Sequence, residues 1–461
     1  MIPDHYLSPA AAGELRFFLI DDQAASLQSL SICAQNMGAT KITKASGFPD
    51  AMRRLRERSF DVILSDYLLG DGRSGQQLLE ELRRFGLLPD ETVFIMVTAE
   101  QAYEQVLAAV ELVPDDYILK PFSGEQLRVR IERAILKKRF FAGVYQLRRE
   151  KNFDQAVDRL DALAGEKSIY GVDILRLKAE IYLASSRPEL ARATYEKIML
   201  GFEYPWAQVG IAQSFRVQEK YEEAKALLDE VAKNSPDYLA AQDMQAQIAL
   251  DLGDPEGAAQ ILEKLSARTP RNFVRKRQLA FAALANGQAE QALQVMSDVL
   301  ANDSVLGAVT EEDRQQAARA AIAADKPEAA EKALGGFDPG LLEELLPDDR
   351  IARITAGLRI GSSGAEEYFR EHRDWVRNCA FKPLTTMDVV AAALQLEDKE
   401  LALAHTERLL QTGDMRQIFK AMHRMYVEAG LEDEFRALQR RVALARAAAV
   451  KVAEPGAALL N

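Results

Sequence analysis

The chain has 461 residues, more than the roughly 250–300 residues at which a single hydrophobic core stops growing, so several domains are expected. Its 48% hydrophobic and 28% charged residues are ordinary for a globular protein, and no uncharged apolar run is long enough to span a membrane. The net charge of -12 at pH 7 opposes general binding to phosphate backbones, so nucleic acid is not expected as a partner.

The few cysteines and histidines argue against disulfide frameworks and against thiolate or imidazole metal sites. Cys33 and Cys379 lie far apart without a CxxC motif, which fits a reducing cytoplasm. The histidines occur at no ligand or catalytic spacing, so structural or solvent-exposed roles are expected. They are His5, His372, His405 and His423. Residues 1–13 lack a secretory signal pattern and are predicted to be a flexible leader.

Residues 14–138 alternate short apolar runs with longer amphipathic stretches. In chain order from Leu15, the apolar runs are LRFFLI, TKITKA, DVILS, TVFIMV and DYIL. Strands joined by helices of this length form a parallel sheet covered on both faces, because right-handed crossovers place helices on each side. The pattern predicts an α/β doubly wound domain with five parallel strands.

Two of the predicted strands end on carboxylates. Asp21 and Asp22 follow the first strand, and Asp66 ends the third. Ligands of open parallel sheets bind beyond the carboxyl ends of the strands, so these groups converge if the two strands are neighbours. Carboxylates this close repel one another unless a cation neutralises them, and oxygen ligands favour Mg²⁺. An aspartate in such a site can be a nucleophile toward phosphorus.

Polar residues also follow the fourth and fifth predicted strands. Thr98 could donate its hydroxyl to a phosphoryl oxygen, and the ammonium of Lys120 could pair with the same group. Two further aspartates receive other roles. Asp61 begins the third strand and is expected to form a turn or cap at the opposite edge of the sheet, and Asp71 is expected to shape a turn bounded by glycines.

In this combination, residues 15–138 resemble the receiver domain of bacterial two-component response regulators. The matching residues are the acidic pair Asp21 and Asp22, the acceptor Asp66, Thr98, Tyr117, and Lys120 followed by Pro121. The resemblance implies a flavodoxin-like sheet of strand order 2-1-3-4-5. It also implies a Mg²⁺ site whose ligands are Asp21, Asp22, Asp66 and the backbone carbonyl of Leu68.

The resemblance further implies a phosphorylation chemistry. A sensor histidine kinase, a phosphotransfer protein or a small donor would phosphorylate Asp66, and Thr98 and Tyr117 would couple this event to the fourth and fifth helices of the domain. A cis bond between Lys120 and Pro121 is implied as well. The loop YLLGDGRSG departs from the family pattern, because it lacks the usual proline and is about one residue longer before Gly75.

Residues 139–304 carry an internal repeat. Its period of 34 residues is set by Ala224, Ala258 and Ala292 and, in phase, by Ala212, Ala246 and Ala280. This period is typical of tetratricopeptide repeats (TPR), in which small residues let paired helices approach closely. Residues 305–451 lose the register and are predicted to form irregular helical repeats with a capping helix, and residues 452–461 a flexible tail. An all-α solenoid is therefore expected after the first domain.

A basic run lies on the last helix of the first domain and its extension. It covers 128–139 and continues with Arg148 and Arg149. A solvated helix face is expected, with contacts to a second copy of the domain, to the first repeat or to nucleic acid as alternatives. Ser123 and Gln126 form a capping box, and no proline follows before Asn152, so this helix is expected to run almost directly into the repeats.

The helical half contains no recognisable catalytic motif and no basic helix-turn-helix pattern, whereas repeat arrays present surfaces for protein segments. The sequence therefore predicts a cytoplasmic response regulator that is not an enzyme. Its phosphorylation would control a protein–protein interaction through the TPR region or through homodimerisation of the receiver. The alternative is a constitutive TPR scaffold whose receiver is a docking module or a phosphate sink. The kinase and the ligand of the repeats stay open.

Overall fold

The computed structural model describes residues 9–70, 74–84, 86–98, 114–165, 168–201, 204–270, 272–301, 309–412 and 416–453. The chain forms two compact units. The first comprises Met1–Gln245 and Ala267–Asn272, and the second comprises Ala246–Ser266 and Phe273–Asn461. Among the described residues, no helix has the length and apolar character that crossing a membrane would require.

The first unit begins with a five-stranded parallel sheet. Its strands are β1 (Arg16–Ile20), β2 (Lys41–Ala45), β3 (Val62–Asp66), β4 (Val93–Thr98) and β5 (Asp116–Leu119). Their order, β2-β1-β3-β4-β5, confirms the prediction. Because helices cover both faces of the sheet, the central strands β3 and β4 are buried along their whole length and consist mainly of apolar residues.

Helices pack on both faces of this sheet. They are α1 (Pro9–Glu14), α2 (Ala24–Asn36), α3 (Phe48–Glu57), α4 (Gly75–Arg84) and α5 (Gly124–Arg149). One core lies between the sheet and α1, α2 and α5, and the other lies between the sheet and α3 and α4. The predicted helix between β4 and β5 falls on 99–113, outside the described residues.

The last part of the predicted flexible leader is ordered. Residues 1–13 were expected to be flexible, yet α1 occupies the last part of this segment and Ala12 is fully buried in the core. The short stretch PAAAGE shows no helical period, so only its packing against the sheet reveals that it is ordered. The remainder of the predicted leader, 1–8, lies outside the described residues.

Helix α5 connects the α/β domain to the repeats without a break over 26 residues. It begins with the predicted capping box, in which the amide of Gln126 donates to Ser123 Oγ at 3.2 Å. Its first half packs in the core of the α/β domain through Ile131, and its second half packs in the core of the first repeats through Phe141. The expected direct connection is confirmed, and the predicted boundary at residue 138 falls inside one helix.

Only part of the basic run on α5 forms the expected solvated face. Arg130 Nη1 lies 2.6 Å from Asp116 Oδ1, and Arg148 Nη2 lies 2.7 Å from Asp90 Oδ1. The acidic partners are distant in sequence and approach α5 only after the sheet has formed. The pattern of the helix alone therefore predicted that these cations are solvated.

The described chain after α5 consists of helices joined by short turns. The first of these are α6 (Phe153–Leu163), α7 (Gly171–Ala184), α8 (Pro188–Met199), α9 (Pro205–Val217), α10 (Tyr221–Asn234), α11 (Ala240–Asp251) and α12 (Pro255–Arg268). They continue as α13 (Phe273–Ala285), α14 (Ala289–Ala301), α15 (Glu311–Ala323), α16 (Pro327–Leu334), α17 (Pro339–Leu342) and α18 (Pro347–Arg359). The last are α19 (Ala365–Glu371), α20 (Arg373–Asn378), α21 (Pro383–Gln395), α22 (Lys399–Thr412), α23 (Arg416–Glu428) and α24 (Glu432–Ala453).

The small residues of the 34-residue period lie where helices meet. All six predicted alanines are at most 1% exposed: Ala212, Ala224, Ala246, Ala258, Ala280 and Ala292. Another close approach involves Gly210 in α9, where a β-carbon would lie 2.5 Å from the ring of Tyr195 in α8. Close helix packing through small residues, as predicted, is confirmed.

A left-handed residue recurs in the turn between paired helices. Lys151, Ser186, Glu219, Gly253 and Gly287 have φ between 56° and 80°. In each turn the next amide bonds to the carbonyl five residues earlier, for example Asn152 to Leu147 at 2.9 Å, which is a Schellman cap.

The same turn continues beyond residue 304, at Asp325, Gly361, Glu397 and Gly430. Helical pairs thus extend through the region predicted to be irregular, and the short helices α17 and α20 account for the irregularity. Helical repeats were predicted here without a fixed period, because the spacing of the turns varies and Asp325 and Glu397 occupy positions where glycine is the usual signal.

Candidate functional site

The three carboxylates predicted to converge lie together at the carboxyl edge of the sheet. β1 and β3 are neighbours, with Ile20 opposite Ser65, so the residues that follow them meet. Asp21, Asp22 and Asp66 each offer one oxygen, and these oxygens all lie within 4.8 Å of one another. Asp21 is fully buried, Asp66 is nearly buried and Asp22 is exposed, which leaves the cluster open to solvent on one side.

Lys120 bridges the two buried carboxylates from the end of β5. Its Nζ lies 2.8 Å from Asp21 Oδ2 and 2.8 Å from Asp66 Oδ1. Burial alone would lower the pKa of Lys120, but the hydrogen bonds and charges of both carboxylates outweigh it and raise the pKa. The lysine is therefore held as a cation in the site. Its bond to Pro121 is cis, as the resemblance implied.

The environment of Asp66 opposes its negative charge. Burial raises the pKa of Asp66, and the charge of Asp21 adds to this effect, whereas Lys120 and the amide of Leu68 oppose it. The amide of Leu68 donates to Asp66 Oδ2 at 3.1 Å. A further cation beside this carboxylate would favour its charged, nucleophilic form.

This group of donors fits a hard divalent cation. The cluster offers carboxylate oxygens, and its exposed member Asp22 leaves room for water and for a phosphoryl oxygen, as Mg²⁺ coordination requires. The hydrogen bond between the Leu68 amide and Asp66 holds the Tyr67–Leu68 peptide at the site. Asp21, Asp22 and Asp66 are the carboxylates that would hold Mg²⁺, and the ligand role of the Leu68 carbonyl stays a prediction.

A glycine that the sequence did not single out supports the acceptor. A β-carbon on Gly75 would lie 2.3 Å from the carbonyl oxygen of Asp66, so a side chain at the start of α4 would displace the acceptor backbone. The longer loop in front of this glycine is closed by a bridge between Leu68 and Ser74. Asp71, predicted to shape the turn, lies outside the described residues.

Ser26 is a site residue that the sequence reasoning missed. Its Oγ donates to Asp21 Oδ2 and accepts from Lys120 Nζ at 3.0 Å. It lies in the first turn of α2, where a serine ordinarily indicates only helix capping. The signal that could have found it is its place one turn after the acidic pair, facing the same edge.

The two predicted switch residues lie on adjacent strands. Thr98 ends β4, is 4% exposed and pairs in register with Leu119 of β5. Tyr117 is half-buried against the core formed with α3 and α4, and burial raises its pKa. Of the two helices on which they would act, the one between β4 and β5 falls on 99–113, outside the described residues, and the other is α5. Their switch role stays a prediction.

Asp61 lies at the opposite edge of the sheet from Asp66, as predicted. Its Oδ2 accepts the backbone amide of Arg16 at 2.8 Å, and the two side chains form an ion pair at 3.2 Å. This arrangement caps the start of β1 and provides a carboxylate remote from the acidic cluster.

Comparison with known proteins agrees with this geometry. The family model described as "Response regulator receiver domain" matches residues 17–132, and a tetratricopeptide repeat model matches residues 249–304. The transcriptional regulatory protein AfsQ1 of Streptomyces coelicolor is 30% identical over 193 residues, which cover 40% of this chain and 80% of AfsQ1. The chain belongs to the response regulators. Residues 17–132 are its receiver domain.

Other relatives match a shorter part of the chain. The phosphate regulon transcriptional regulatory protein PhoB of Escherichia coli is 31% identical over 123 residues, 27% of this chain, and the chain spans about half of PhoB, 52%. A response regulator receiver domain protein from Clostridium thermocellum is 24% identical, with a TM-score of 0.25. That match covers 27% of this response regulator and 97% of the solved chain.

The second unit contains an apolar cavity of about 240 Å³. The helices α13, α15, α18, α21 and α23 contribute most of its lining, and alanine, leucine and methionine side chains predominate. Its charged residues are Arg319 and Asp388, which pair at 2.7 Å, and Arg359, which is exposed and has no ion-pair partner among the described residues. The cavity thus combines an apolar lining with one available cation.

Proposed function

We propose that this protein is a cytoplasmic response regulator in which phosphorylation of Asp66 controls the binding of a protein partner by the helical repeats. The observation that carries the proposal is the position of Asp66, nearly buried beside Asp21 and bridged to it by Lys120. A carboxylate held among acidic and cationic groups at the end of a parallel strand is suited to accept a phosphoryl group. The donor would be a sensor histidine kinase, a phosphotransfer protein or a small phosphoryl compound.

Phosphoryl transfer to Asp66 would be a displacement at phosphorus. An oxygen of Asp66 forms the new P–O bond while the P–N bond of the donor histidine breaks, and the electron pair leaves with the histidine nitrogen. Mg²⁺ bound by the acidic cluster would neutralise negative charge around phosphorus. Lys120 would pair with a phosphoryl oxygen, and the hydroxyl of Thr98 would donate to another.

The output half is proposed to act by binding and not by catalysis. The cavity of about 240 Å³ in the second unit is smaller than the roughly 300–1,000 Å³ of sites for drug-sized ligands. It exceeds the roughly 150 Å³ of a cavity that holds benzene. This size suits one large apolar side chain of a protein segment, and Arg359 would favour an acidic neighbour in that segment.

The test compares wild-type protein with Asp66→Asn, each treated with Mg²⁺ and acetyl phosphate. Asp61→Asn is the matched control, because it removes a carboxylate at the opposite edge of the same strand. Intact mass should show a phosphoryl adduct on wild type and Asp61→Asn and none on Asp66→Asn. Capture of a partner from a cell extract, or the oligomeric mass, should change only in the two phosphorylated proteins.

Equal partner capture by phosphorylated wild type and Asp66→Asn, with equal oligomeric mass, would contradict regulation. The protein would then be a constitutive repeat scaffold. Absence of the adduct from wild type would contradict the phosphoacceptor role itself.

A further inference from the structure

Helix α5 belongs to two hydrophobic cores. Ile131 and Ile135 are buried in the receiver core, and Phe141 and Val144 are buried in a core shared with α6 and α7. A continuous helix of 26 residues spans roughly 39 Å at about 1.5 Å per residue. A displacement of α5 within the receiver is therefore carried into the first repeats.

Three cations of α5 fold back onto the amino-terminal edge of the sheet. Their acceptors directly precede β4 and β5. Arg148 Nη2 lies 2.7 Å from Asp90 Oδ1, Arg149 Nη1 lies 2.6 Å and 2.7 Å from the two carboxylate oxygens of Glu91, and Lys138 Nζ lies 2.9 Å from Asp115 Oδ1. Lys138 also donates to the backbone carbonyl of Asp90 at 2.7 Å. These six residues are called the clasp below.

The clasp also reaches the repeats. The other guanidinium nitrogen of Arg148, Nη1, lies 3.8 Å from Glu180 in α7. Beside it on α5, Lys137 Nζ lies 2.5 Å from Asp173 at the start of α7. Arg148 therefore interacts with an acid of the receiver and with an acid of the repeats at the same time.

The clasp and the phosphoacceptor site lie at opposite ends of the same strands. Asp115 precedes β5, which ends beside Lys120, and Asp90 precedes β4, which ends on Thr98. Asp115 Oδ2 accepts the amide of Phe94 at 2.8 Å, so the two strands are joined at the clasp end. Strands of four to six residues span roughly 13–20 Å at about 3.3 Å per residue, and they connect the two edges directly.

Two of the three ion pairs in the clasp are partly buried, whereas Arg149 and Glu91 are 50% and 36% exposed. The side chains of Lys138 and Asp115 are 17% and 24% exposed. Isolated exposed pairs contribute little to stability, whereas a network that shares one cation fixes orientation. The clasp is therefore suited to positioning the repeats relative to the sheet.

We propose that the clasp transmits the phosphorylation state of the receiver to the first repeats by holding β4, β5, α5 and α7 as one mechanical unit. This inference rests on the proposed function and specifies its regulation. The repeats next to the receiver move with it, and phosphorylation does not act by releasing them. The clasp residues are positioning residues, since none of them contacts the acidic cluster in the described structure.

The test measures amide hydrogen exchange of α6 and α7 in the full-length protein, with and without Mg²⁺ and acetyl phosphate. The clasp variant is Lys138→Gln/Arg148→Gln/Arg149→Gln. The matched control, Arg133→Gln/Arg139→Gln, removes exposed cations of the same helix outside the clasp. A charge swap, Glu91→Arg/Arg149→Glu, preserves one pair with its polarity reversed, and Arg149→Glu alone breaks it. Mass spectrometry of the intact protein measures the phosphorylation of every variant.

Wild type and the control should show a phosphorylation-dependent change in exchange in α6 and α7. The clasp variant should be phosphorylated and lose this change. Arg149→Glu should weaken it and the swap should restore it, which separates coupling from a folding defect. An unchanged response in the phosphorylated clasp variant would overturn the inference, and so would a phosphorylated wild type without any response in α6 and α7. A wild type that accepts no phosphoryl group would instead contradict the proposed function.

Discussion

Gly75 and Asp66 approach so closely that a β-carbon on Gly75 would lie 2.3 Å from the Asp66 carbonyl oxygen. Gly75→Ala should therefore displace the acceptor backbone. We expect the free energy of unfolding to fall by about 1–3 kcal/mol, the usual range for overpacking a buried site, and phosphorylation by acetyl phosphate to slow. Chemical denaturation and the rate of adduct formation measure the two effects.

Gly165→Ala is the control for this substitution, because no atom lies within 4 Å of a β-carbon built at Gly165. Its free energy of unfolding should stay within about 0.5 kcal/mol of wild type. If Gly75→Ala were as stable and as readily phosphorylated as this control, the close approach of Gly75 to Asp66 would contribute neither to stability nor to phosphorylation.

Lys120 separates two carboxylates that would otherwise repel. Lys120→Met should lower the melting temperature in metal-free buffer, because Asp21 and Asp66 lose the ammonium that lies 2.8 Å from each. Breaking a fully buried pair costs about 3–5 kcal/mol. The lysine side chain is 24% exposed, so we expect a smaller loss. Thermal unfolding with and without MgCl₂ measures it.

Added Mg²⁺ should recover more of the lost stability in Lys120→Met than it adds to wild type, since the variant presents a more negative cluster to the cation. Lys41→Met is the control, because Lys41 pairs with exposed Glu14 away from the site. A loss in Lys120→Met that is the same with and without Mg²⁺ would count against a cation site in this cluster.

The sequence predicted the features that depend on local residue patterns and on the chemistry of the residues within them. The five parallel strands followed from the apolar runs, and the strand order followed from the resemblance to receiver domains. Once β1 and β3 are neighbours, Asp21 and Asp66 converge because parallel strands bring their carboxyl ends to one edge. The buried alanines of the repeats followed from their 34-residue period. These features need no knowledge of distant contacts.

The features that were missed depend on such contacts. Ser26 becomes a site residue only because α2 directs it toward Lys120, and Ala12 is buried only because the sheet lies beneath α1. Arg148 and Arg149 of α5 meet acids 58 positions away, Asp90 and Glu91. No pattern within one helix contains this information.

Gly143 is a weak point in the helix that joins the receiver to the repeats. A β-carbon there would have Arg159 Nε at 3.9 Å as its nearest neighbour, so alanine fits. Gly143→Ala should raise the free energy of unfolding by about 0.5–1 kcal/mol, because glycine in a helix interior is less favourable than alanine by that amount. Denaturant unfolding measures the change, and a destabilised variant would indicate that α5 bends or packs more closely at this position.

His405 is buried in the second unit, where its ring nitrogen contacts a backbone carbonyl. It is 1% exposed, and its Nε2 donates to the carbonyl of Val376 at 3.1 Å. Burial, with a smaller contribution from the charge of Arg408, lowers the pKa of His405 to about 4. The folded protein therefore keeps this imidazole neutral at pH values where the unfolded chain protonates it.

The titration of His405 makes the free energy of unfolding depend on pH. Unfolded His405 binds a proton near its ordinary value of 6.5 and the folded residue near about 4. The unfolded state thus binds more protons in this window, so the free energy of unfolding falls as the pH drops from 6.5 to 4, by at most about 3 kcal/mol from this residue. His405→Gln keeps a donor for Val376 and should flatten the decline, whereas His423→Gln, which replaces a half-exposed histidine beside Glu432, should retain it. Denaturant unfolding across this pH range compares the slopes, and equal slopes for wild type and His405→Gln would refute the assignment.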